Sequence, residues 1–538
     1  MSVDLNFSGR CGGVDDLVGR VRRAAPAFGF DPDGLAIRGA TLVVRFRGGW
    51  DVDLELGPPD PGPGLAVCGS CRTSLGGPGL HAAVADFAEA LALDDFAFED
   101  ETGYADDRDF DRLSETFLGQ LRGYAEFAAE SEGKEGPLML CWPVGPGAYM
   151  PADADEALFT PMGRFPRTAW RDAIERDGAA ALAEQVYAWP HRAFDATAMR
   201  NHAVRALWMD CRFLPSARAA AVRAENAAVL DLLEAAHRAD PALPLPLASY
   251  RELCELDGRE PAIPADAPAT DETPRPGYRR GLVEYSPIGL VLPLPGAFRH
   301  VDADPEGETP ELWCDDGDSA GGTVVRLGTY SVPDEAAALA LLAGKDFFPG
   351  HREEAELPGG CAVWSWGAAT EEEGGPHGYC IARIASGRLL HHLSVSYPGE
   401  ADWPGVRELL LRLRCRPVSD EELAACAGSD GDAAEPPARR SAAAKALSLA
   451  GFFGAALFGL SLIGIGCALW TTDHSGRSER LAVYAMFLVG GILLRLAFRC
   501  LRNFFRGPAG SPPAKTDWRE IGLGLLRVVP RALGASFR

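Results

Sequence analysis

Two short motifs contain residue types that can do chemistry. The sequence has one CxxC motif, Cys68-Gly69-Ser70-Cys71, and one GxSxG motif centred on Ser319. A CxxC pair serves redox chemistry when its first thiolate lies at a helix N-terminus, and it binds zinc when a second pair completes the ligand set. No second CxxC occurs, and the next helix is expected to begin only near Pro78. We therefore predict that Cys68 and Cys71 are a structural pair beside a loop, with redox or metal use as the alternative.

The GxSxG motif occurs in an unusual context. A nucleophilic serine of this kind needs a strand before it and a helix after it, so that its hydroxyl is exposed above a sheet. Here an acidic turn precedes the serine, and the β-branched run 323–325 follows it. This order favours a glycine-rich turn, and a nucleophilic Ser319 is the alternative.

A run of carboxylates lies between residues 94 and 111. Carboxylate oxygens are the ligands that Ca²⁺ prefers, but the run lacks the twelve-residue EF-hand pattern. Acidic residues also complement the dipole at a helix N-terminus. We interpret the run as a solvated acidic loop that leads into a helix. Its members are Asp94, Asp95, Glu99, Asp100, Glu101, Asp106, Asp107, Asp109 and Asp111.

Two glycine-containing segments are candidates for binding. In the first, Gly163 and Arg164 follow a Gly/Pro loop that begins at Trp142. Glycines near an arginine can admit an anion or a peptide backbone. The second segment, 73–79, precedes a predicted helix whose amides could face an anion. It has no Walker Lys-Ser/Thr pair and no GxGxxG. We take Gly163, Arg164 and Trp142 as the binding candidates.

Several motifs that define enzyme classes do not occur. The sequence has no HExxH, no P-loop, no Rossmann fingerprint and no kinase motif set. We therefore predict no cofactor and no metal, and we assign no catalytic residue. An active site assembled from residues distant in sequence is the alternative.

The charge of the chain is asymmetric. The 538 residues carry a formal net charge of −24, from 52 Lys+Arg against 76 Asp+Glu. Residues 439–538 hold 14 basic and 4 acidic side chains, which leaves 38 basic and 72 acidic ones in 1–438. The acidic part excludes a general nucleic-acid binder and suits a basic protein partner. The basic residues are almost all Arg, which is typical of a GC-rich bacterial genome.

Two apolar runs in the basic segment predict a transmembrane hairpin. Residues 446–470 are uncharged, and 481–498 are interrupted only by Arg495. A helix of about 20 apolar residues crosses a bilayer. Arginines and a lysine flank the outer ends of both runs, so the positive-inside rule places both termini in the cytoplasm. We predict a multi-pass inner-membrane protein that contacts the lipid bilayer, with membrane anchors at Trp470, Arg495, Arg499 and Trp518.

Shifts in composition divide the chain into segments. The predicted segments are an N-terminal α+β domain with a helical half (1–255), a Pro-rich linker (256–280), a second α/β sandwich-like domain (281–416), an Ala/Pro/acidic linker (417–445), the hairpin (446–498) and a basic tail with a short amphipathic helix (499–538). The element order of the second domain is similar to that of PsbP-like α/β sandwiches. The predicted fold class is α+β: two soluble cytoplasmic α+β modules followed by a two-helix transmembrane hairpin.

These observations favour a binding protein over an enzyme. We predict a membrane-anchored cytoplasmic binding or regulatory protein without a well-placed catalytic motif. The alternatives are a membrane-tethered enzyme with a dispersed active site in one of the α+β modules, and a small transport or channel component.

Overall fold

The computed structural model describes most of the chain before residue 424. The described ranges are 3–28, 35–38, 40–46, 50–57, 64–143, 147–301, 311–315, 322–344, 348, 350–371, 375–419 and 422–423. The chain divides into two compact units, Met1–Ala427 and Gly428–Arg538, and all described residues belong to the first.

The first part is a six-stranded antiparallel sheet with helices on one face. Its elements are β1 (Asp4–Cys11), α1 (Val14–Phe28), β2 (Ala36–Arg38), β3 (Thr41–Phe46), β4 (Trp50–Leu56), β5 (Leu65–Arg72), α2 (Pro78–Ala90), β6 (Asp94–Asp100), α3 (Tyr104–Asp107) and α4 (Phe110–Glu130). The strand order is β2-β3-β4-β5-β1-β6.

Alternation along the strands decides which face the helices cover. Leu5 and Phe7 of β1 are buried, as are Val52 and Leu54 of β4, while the residues between them are more exposed. Successive side chains of a strand point to opposite faces, so every second residue enters the core. Helix α4 begins where the Asp109 carboxylate accepts hydrogen bonds from two backbone amides of its first turn.

A small sheet and five helices follow. The elements are β7 (Leu138–Met139), β8 (Tyr149–Pro151), β9 (Leu158–Thr160), β10 (Gly163–Phe165), α5 (Ala169–Asp177), α6 (Ala179–Val186), α7 (Ala196–Met209), α8 (Ala220–Ala239) and α9 (Leu247–Asp257). Strands β10, β9 and β7 form a three-stranded sheet in that order.

The remaining described residues build two further sheets. The elements are β11 (Leu282–Tyr285), β12 (Leu290–Pro295), β13 (Arg299–Val301), β14 (Glu311–Cys314), β15 (Val324–Ser331), α10 (Glu335–Leu342), β16 (Arg352–Leu357), β17 (Gly360–Glu371), β18 (Gly375–Ser386), β19 (Leu389–Tyr397), α11 (Trp403–Leu411) and β20 (Arg414–Cys415). One sheet has the order β20-β12-β11-β8, and the other has the order β13-β14-β15-β19-β18-β17-β16.

Strand pairing crosses the predicted Pro-rich linker. Strand β8 pairs antiparallel with β11, with Tyr149 opposite Tyr285. Within the linker, the backbone amide of Ala262 donates to the hydroxyl of Tyr250, at 2.8 Å. The segment boundaries at 255 and 281 stay a prediction.

The predicted transmembrane hairpin is corrected. No helix in the described ranges is long and apolar enough to cross a membrane. The two longest of these helices, α4 and α8, contain 21 and 20 residues and carry charged side chains along their length. The structure supports a mixed α+β fold, so the hairpin in the predicted fold class and the multi-pass inner-membrane localisation are not supported. The runs 446–470 and 481–498, with Trp470, Arg495, Arg499 and Trp518, lie outside the described residues.

Candidate functional site

Strand β6 forms one edge of the first sheet. It pairs antiparallel with β1, with Asn6 opposite Glu99 and Phe7 opposite Phe98. Among the described strands, none pairs with its other edge. The register shifts between Ser8 and Arg10 of β1, where Asp95 of β6 has a left-handed backbone with φ 51°. An unpaired edge presents backbone N–H and C=O groups that can accept an additional strand.

Five exposed carboxylates lie on β6, in the turn that follows it and in the short helix α3. They are Asp94, Asp95, Glu99, Glu101 and Asp106. None of the five makes an ion pair with another described residue, although Asp86, Glu89 and Asp107 nearby are each paired with an arginine. We call β6 with these five carboxylates the acidic edge.

The structure corrects the prediction of an acidic loop here. Residues 94–100 form a strand, and Asp100 at its end is buried, with a side chain only 2% exposed. In the ranges that the structure describes, no group of three or more His, Cys, Asp or Glu side chains could hold a metal ion. A Ca²⁺ site at the run therefore finds no support among these residues.

Asp100 fixes the end of β6 by accepting four hydrogen bonds. Its Oδ1 atom accepts from the Thr102 amide at 2.8 Å and from the Thr102 hydroxyl at 2.7 Å. Its Oδ2 atom accepts from the Ala105 amide at 2.8 Å. The fourth donor is Nε2 of His81, 3.2 Å from Oδ1. Burial raises the pKa of Asp100, but these hydrogen bonds outweigh it and hold the pKa well below its usual value.

His81 connects this carboxylate to the neighbouring ends of β1 and β5, at the same end of the sheet. Its Nδ1 atom lies 2.9 Å from the hydroxyl of Thr73, and that hydroxyl lies 3.2 Å from the carbonyl oxygen of Val3. The order hydroxyl, imidazole, carboxylate is that of a catalytic triad. However, Thr73 and His81 are both fully buried, so a substrate has no access to the hydroxyl through the described structure. The trio holds β6 and α2 together.

Two phenylalanines of β6 form an apolar surface on the core side of the acidic edge. The rings of Phe96 and Phe98 meet edge to face, with centroids 4.7 Å apart, and both are half-buried. The guanidinium carbon of Arg108 lies 5.7 Å from the centroid of Phe98. The same guanidinium is paired with Asp86 and Glu89, so its charge is compensated locally.

The cysteines of the CxxC motif do not form a pair. Both lie within β5, where a spacing of three places them on opposite faces. Cys68 is exposed, whereas Cys71 is buried in the core. Burial raises the pKa of Cys71, which keeps its thiol protonated. The prediction of a structural pair beside a loop is wrong, because the motif lies in a strand.

The segment 73–79 is closed to anions. All seven of its residues are buried. The amide of Gly79, in the first turn of α2, donates to the carbonyl of Trp189, and the amide of Trp189 donates to the carbonyl of Gly76. A methyl group on Gly79 would overlap the carbonyl oxygen of His191.

His191 stabilises the loop around Trp189 that packs over residues 73–79. Its Nδ1 atom lies 2.7 Å from Asp195, which caps α7, and its Nε2 atom lies 2.7 Å from Glu184 of α6. Both ring nitrogens face carboxylates, which is the geometry of an imidazolium. Burial lowers the pKa of His191, but the two carboxylates outweigh it and raise the pKa above its usual value.

The three binding candidates from the sequence lie around one aromatic cluster. The rings of Trp142 and Phe159 lie 5.1 and 5.8 Å from the ring of Tyr278. The guanidinium carbon of Arg164 lies 5.6 Å from the centroid of Phe159, and Gly163 precedes Arg164 in β10.

Each candidate also has a contact that explains its residue type. Arg164 is paired with Asp155. Gly163 has a φ of 147° and lies against Trp208, where a side chain would be strained. The indole of Trp142 donates to the carbonyl of Tyr149, at 2.6 Å. A binding role for the three residues stays a prediction, and Ser319 lies outside the described residues.

Comparisons with known proteins give no family. No protein-family model matches the chain, and no curated protein matches it. One similar solved structure is a crystal structure from Bacteroides thetaiotaomicron VPI-5482, with 11% sequence identity and a TM-score of 0.20. The match covers 41% of this chain and 76% of that chain. A likeness this weak carries no argument about function.

Proposed function

We propose that this chain is a binding or regulatory protein whose acidic edge binds a basic protein partner. One observation carries the proposal: five exposed carboxylates without ion-pair partners in the described structure lie beside the unpaired edge of β6. Exposed carboxylates that lack a cationic partner in the described structure create a negative potential, and this potential attracts a basic surface.

A second edge strand shows that acidic composition alone does not give this arrangement. Strand β16 is an edge of the seven-stranded sheet and also contains three glutamates. Glu353 is paired with Arg407, and Glu354 is paired with Arg352 at 2.6 Å. Only Glu356 of this strand lacks an ion pair within the described structure. The acidic edge therefore differs from β16 in leaving its carboxylates available.

The buried trio supports the proposal by making the acidic edge rigid. Asp100, held by His81 and Thr102, fixes the turn that contains Glu101 and, through the Ala105 amide, the short helix α3 that contains Asp106. A partner then meets charges that are already positioned, which lowers the entropy cost of binding.

The test compares two variants of the full chain. In the first, the five carboxylates of the acidic edge are changed to amides. In the second, a matched control, five exposed carboxylates elsewhere that have no ion-pair partner among the described residues are changed in the same way: Asp153, Glu156, Glu175, Asp266 and Glu356. Both variants lose five negative charges, so they differ only in where the charge is removed.

The measurement is binding to a lysine homopolymer immobilised on beads, across a series of salt concentrations. We expect the wild-type chain and the control to bind and to elute together as salt rises, because salt screens exposed charges. We expect the acidic-edge variant to elute at clearly lower salt. Equal elution of the two variants would refute a specific role for the acidic edge.

A further inference from the structure

Strand β6 offers two different surfaces on either side of its unpaired edge. Phe96 and Phe98 are half-buried on the side of the core, whereas Ala97 and Glu99 are exposed. Glu99 lies opposite Asn6 of β1, and Ala97 lies opposite Ser8. The open face is therefore polar and acidic at this edge, and the covered face is aromatic.

A strand added to this edge would meet both surfaces in alternation. Its successive side chains would point to opposite faces, as in every strand. Those on the open face would lie beside Glu99, where a cationic side chain is favoured across the strand pair. Those on the other face would lie beside Phe96 and Phe98, where an apolar side chain is favoured.

From this geometry we infer that β6 binds an extended segment of a partner protein in which basic and apolar residues alternate. The segment is added to the sheet as a seventh strand through backbone hydrogen bonds. This inference rests on the proposed function, and it specifies the partner's conformation and sequence pattern.

A second copy of this chain does not fit the edge. Pairing β6 with another β6 would bring Asp95 and Glu99 close to the same carboxylates of the other copy, and like charges across a strand pair are destabilising. The bulge at Asp95 further disfavours pairing between two identical edges. A basic segment that pairs with β6 near Glu99 meets neither the like-charge repulsion nor the bulge at Asp95.

The test uses three seven-residue peptides, the length of β6. The first alternates lysine and valine. The second has the same composition, but its three valines are adjacent in the centre. The third has the alternating sequence with every backbone nitrogen methylated, so it keeps the charge and side chains but can donate no backbone hydrogen bond. Affinities for the full chain are measured by fluorescence anisotropy at low salt.

We expect the alternating peptide to bind about 10-fold more tightly than either of the others, because the second peptide does not match its cationic and apolar side chains to the two faces and the third cannot donate backbone hydrogen bonds. We also expect Glu99→Lys to weaken its binding about 10-fold, because an attractive cross-strand pair becomes repulsive. Glu356→Lys, at the exposed unpaired glutamate of β16, is the matched control and is expected to leave the affinity unchanged.

The outcomes separate this inference from the proposed function. If all three peptides bind equally and Glu99→Lys weakens them all, the acidic edge binds cations without strand addition, and only the inference fails. If none of the peptides binds, the inference is overturned, while binding of the lysine homopolymer still decides the proposed function. Dimers that pair through β6 would overturn the argument against a second copy.

Discussion

Asp100→Asn tests whether the buried carboxylate positions the acidic edge. Four donors converge on the carboxylate of Asp100: the Thr102 amide, the Thr102 hydroxyl, the Ala105 amide and His81 Nε2. An asparagine has the same shape but replaces one oxygen by an NH₂ group, which is itself a donor. Whichever way the amide is turned, at least one donor then faces another donor, and His81 loses its negatively charged partner.

The free energy lost in Asp100→Asn depends on the burial of the His81–Asp100 pair and on the hydrogen bonds that the asparagine cannot make. The side chains of His81 and Asp100 are 0% and 2% exposed, so water does not replace the lost interactions. One hydrogen bond to a charged group contributes about 1.5–3 kcal/mol, and breaking a buried pair costs about 3–5 kcal/mol. Because part of the hydrogen bonding survives in the asparagine, we expect about 3 kcal/mol, or about a 100-fold change in an equilibrium constant.

Hydrogen exchange measured by mass spectrometry reports this loss of free energy at individual segments of the chain. In the Asp100→Asn variant, amides in residues 94–107 are expected to exchange about 100-fold faster, since local opening carries the lost free energy. Asp109→Asn is the matched control, because Asp109 is an exposed helix cap and asparagine caps a helix equally well. Less than a fivefold change for Asp100→Asn would refute the assigned role.

The pH dependence gives an independent check on the same residue. The pKa of Asp100 is lower in the folded state than the usual value of about 3.9, so the stabilisation is fully present above that pH. It is lost as the pH falls below about 4 toward the folded-state pKa. The difference between wild type and Asp100→Asn should therefore shrink on acidification; a difference that grows would contradict the reasoning.

Three further predictions follow from contacts elsewhere in the first unit. Gly79→Ala should lower the melting temperature by several degrees, because its methyl group would overlap the carbonyl oxygen of His191; an unchanged melting temperature would contradict the packing. His191 has a raised pKa, so its stabilisation should be complete below about pH 6.5 and disappear as the pH rises through the folded-state pKa. The melting temperature of the wild-type chain should therefore fall over this pH range, whereas that of His191→Gln should not. The same fall in His191→Gln would exclude His191 as its source. A thiol reagent should modify Cys68 in the native chain and reach Cys71 only on unfolding, and early modification of Cys71 would contradict its burial.

Local patterns predicted many elements because their signals lie within a few residues. Amphipathic periodicity predicts a helix over 111–129, and the structure has α4, Phe110–Glu130, with its cap at Asp109. The apolar run 389–397 after the turn at Gly387 predicts a strand, and β19 has the same bounds. Apolar periodicity and capping residues are local properties, so one sequence is enough to find them.

The candidate site depends on contacts that no local pattern records. His81 and Asp100 are 19 positions apart in sequence, and they meet only because α2 packs beside the edge strand. Carboxylate composition predicted a loop at 94–100, since alternation with Phe96 and Phe98 is short and interrupted by the bulge at Asp95. The spacing of Cys68 and Cys71 predicts a structural pair beside a loop, but both residues lie in a strand, where this spacing places their side chains on opposite faces.

The apolar runs that predicted a hairpin show a different limit of sequence reasoning. Uncharged length is a property of composition, and it predicts a membrane span only if the residues form a long apolar helix. None of the helices in the described ranges has that character.

Hydrogen exchange of the full chain with and without the alternating lysine/valine peptide tests the central claim most directly. If the acidic edge binds a basic segment, amide exchange slows only in β6, the turn that follows it and α3, residues 94–107. This slowing also disappears as salt rises, because the charges are exposed. Slower exchange elsewhere in the chain with none in β6 would contradict the account.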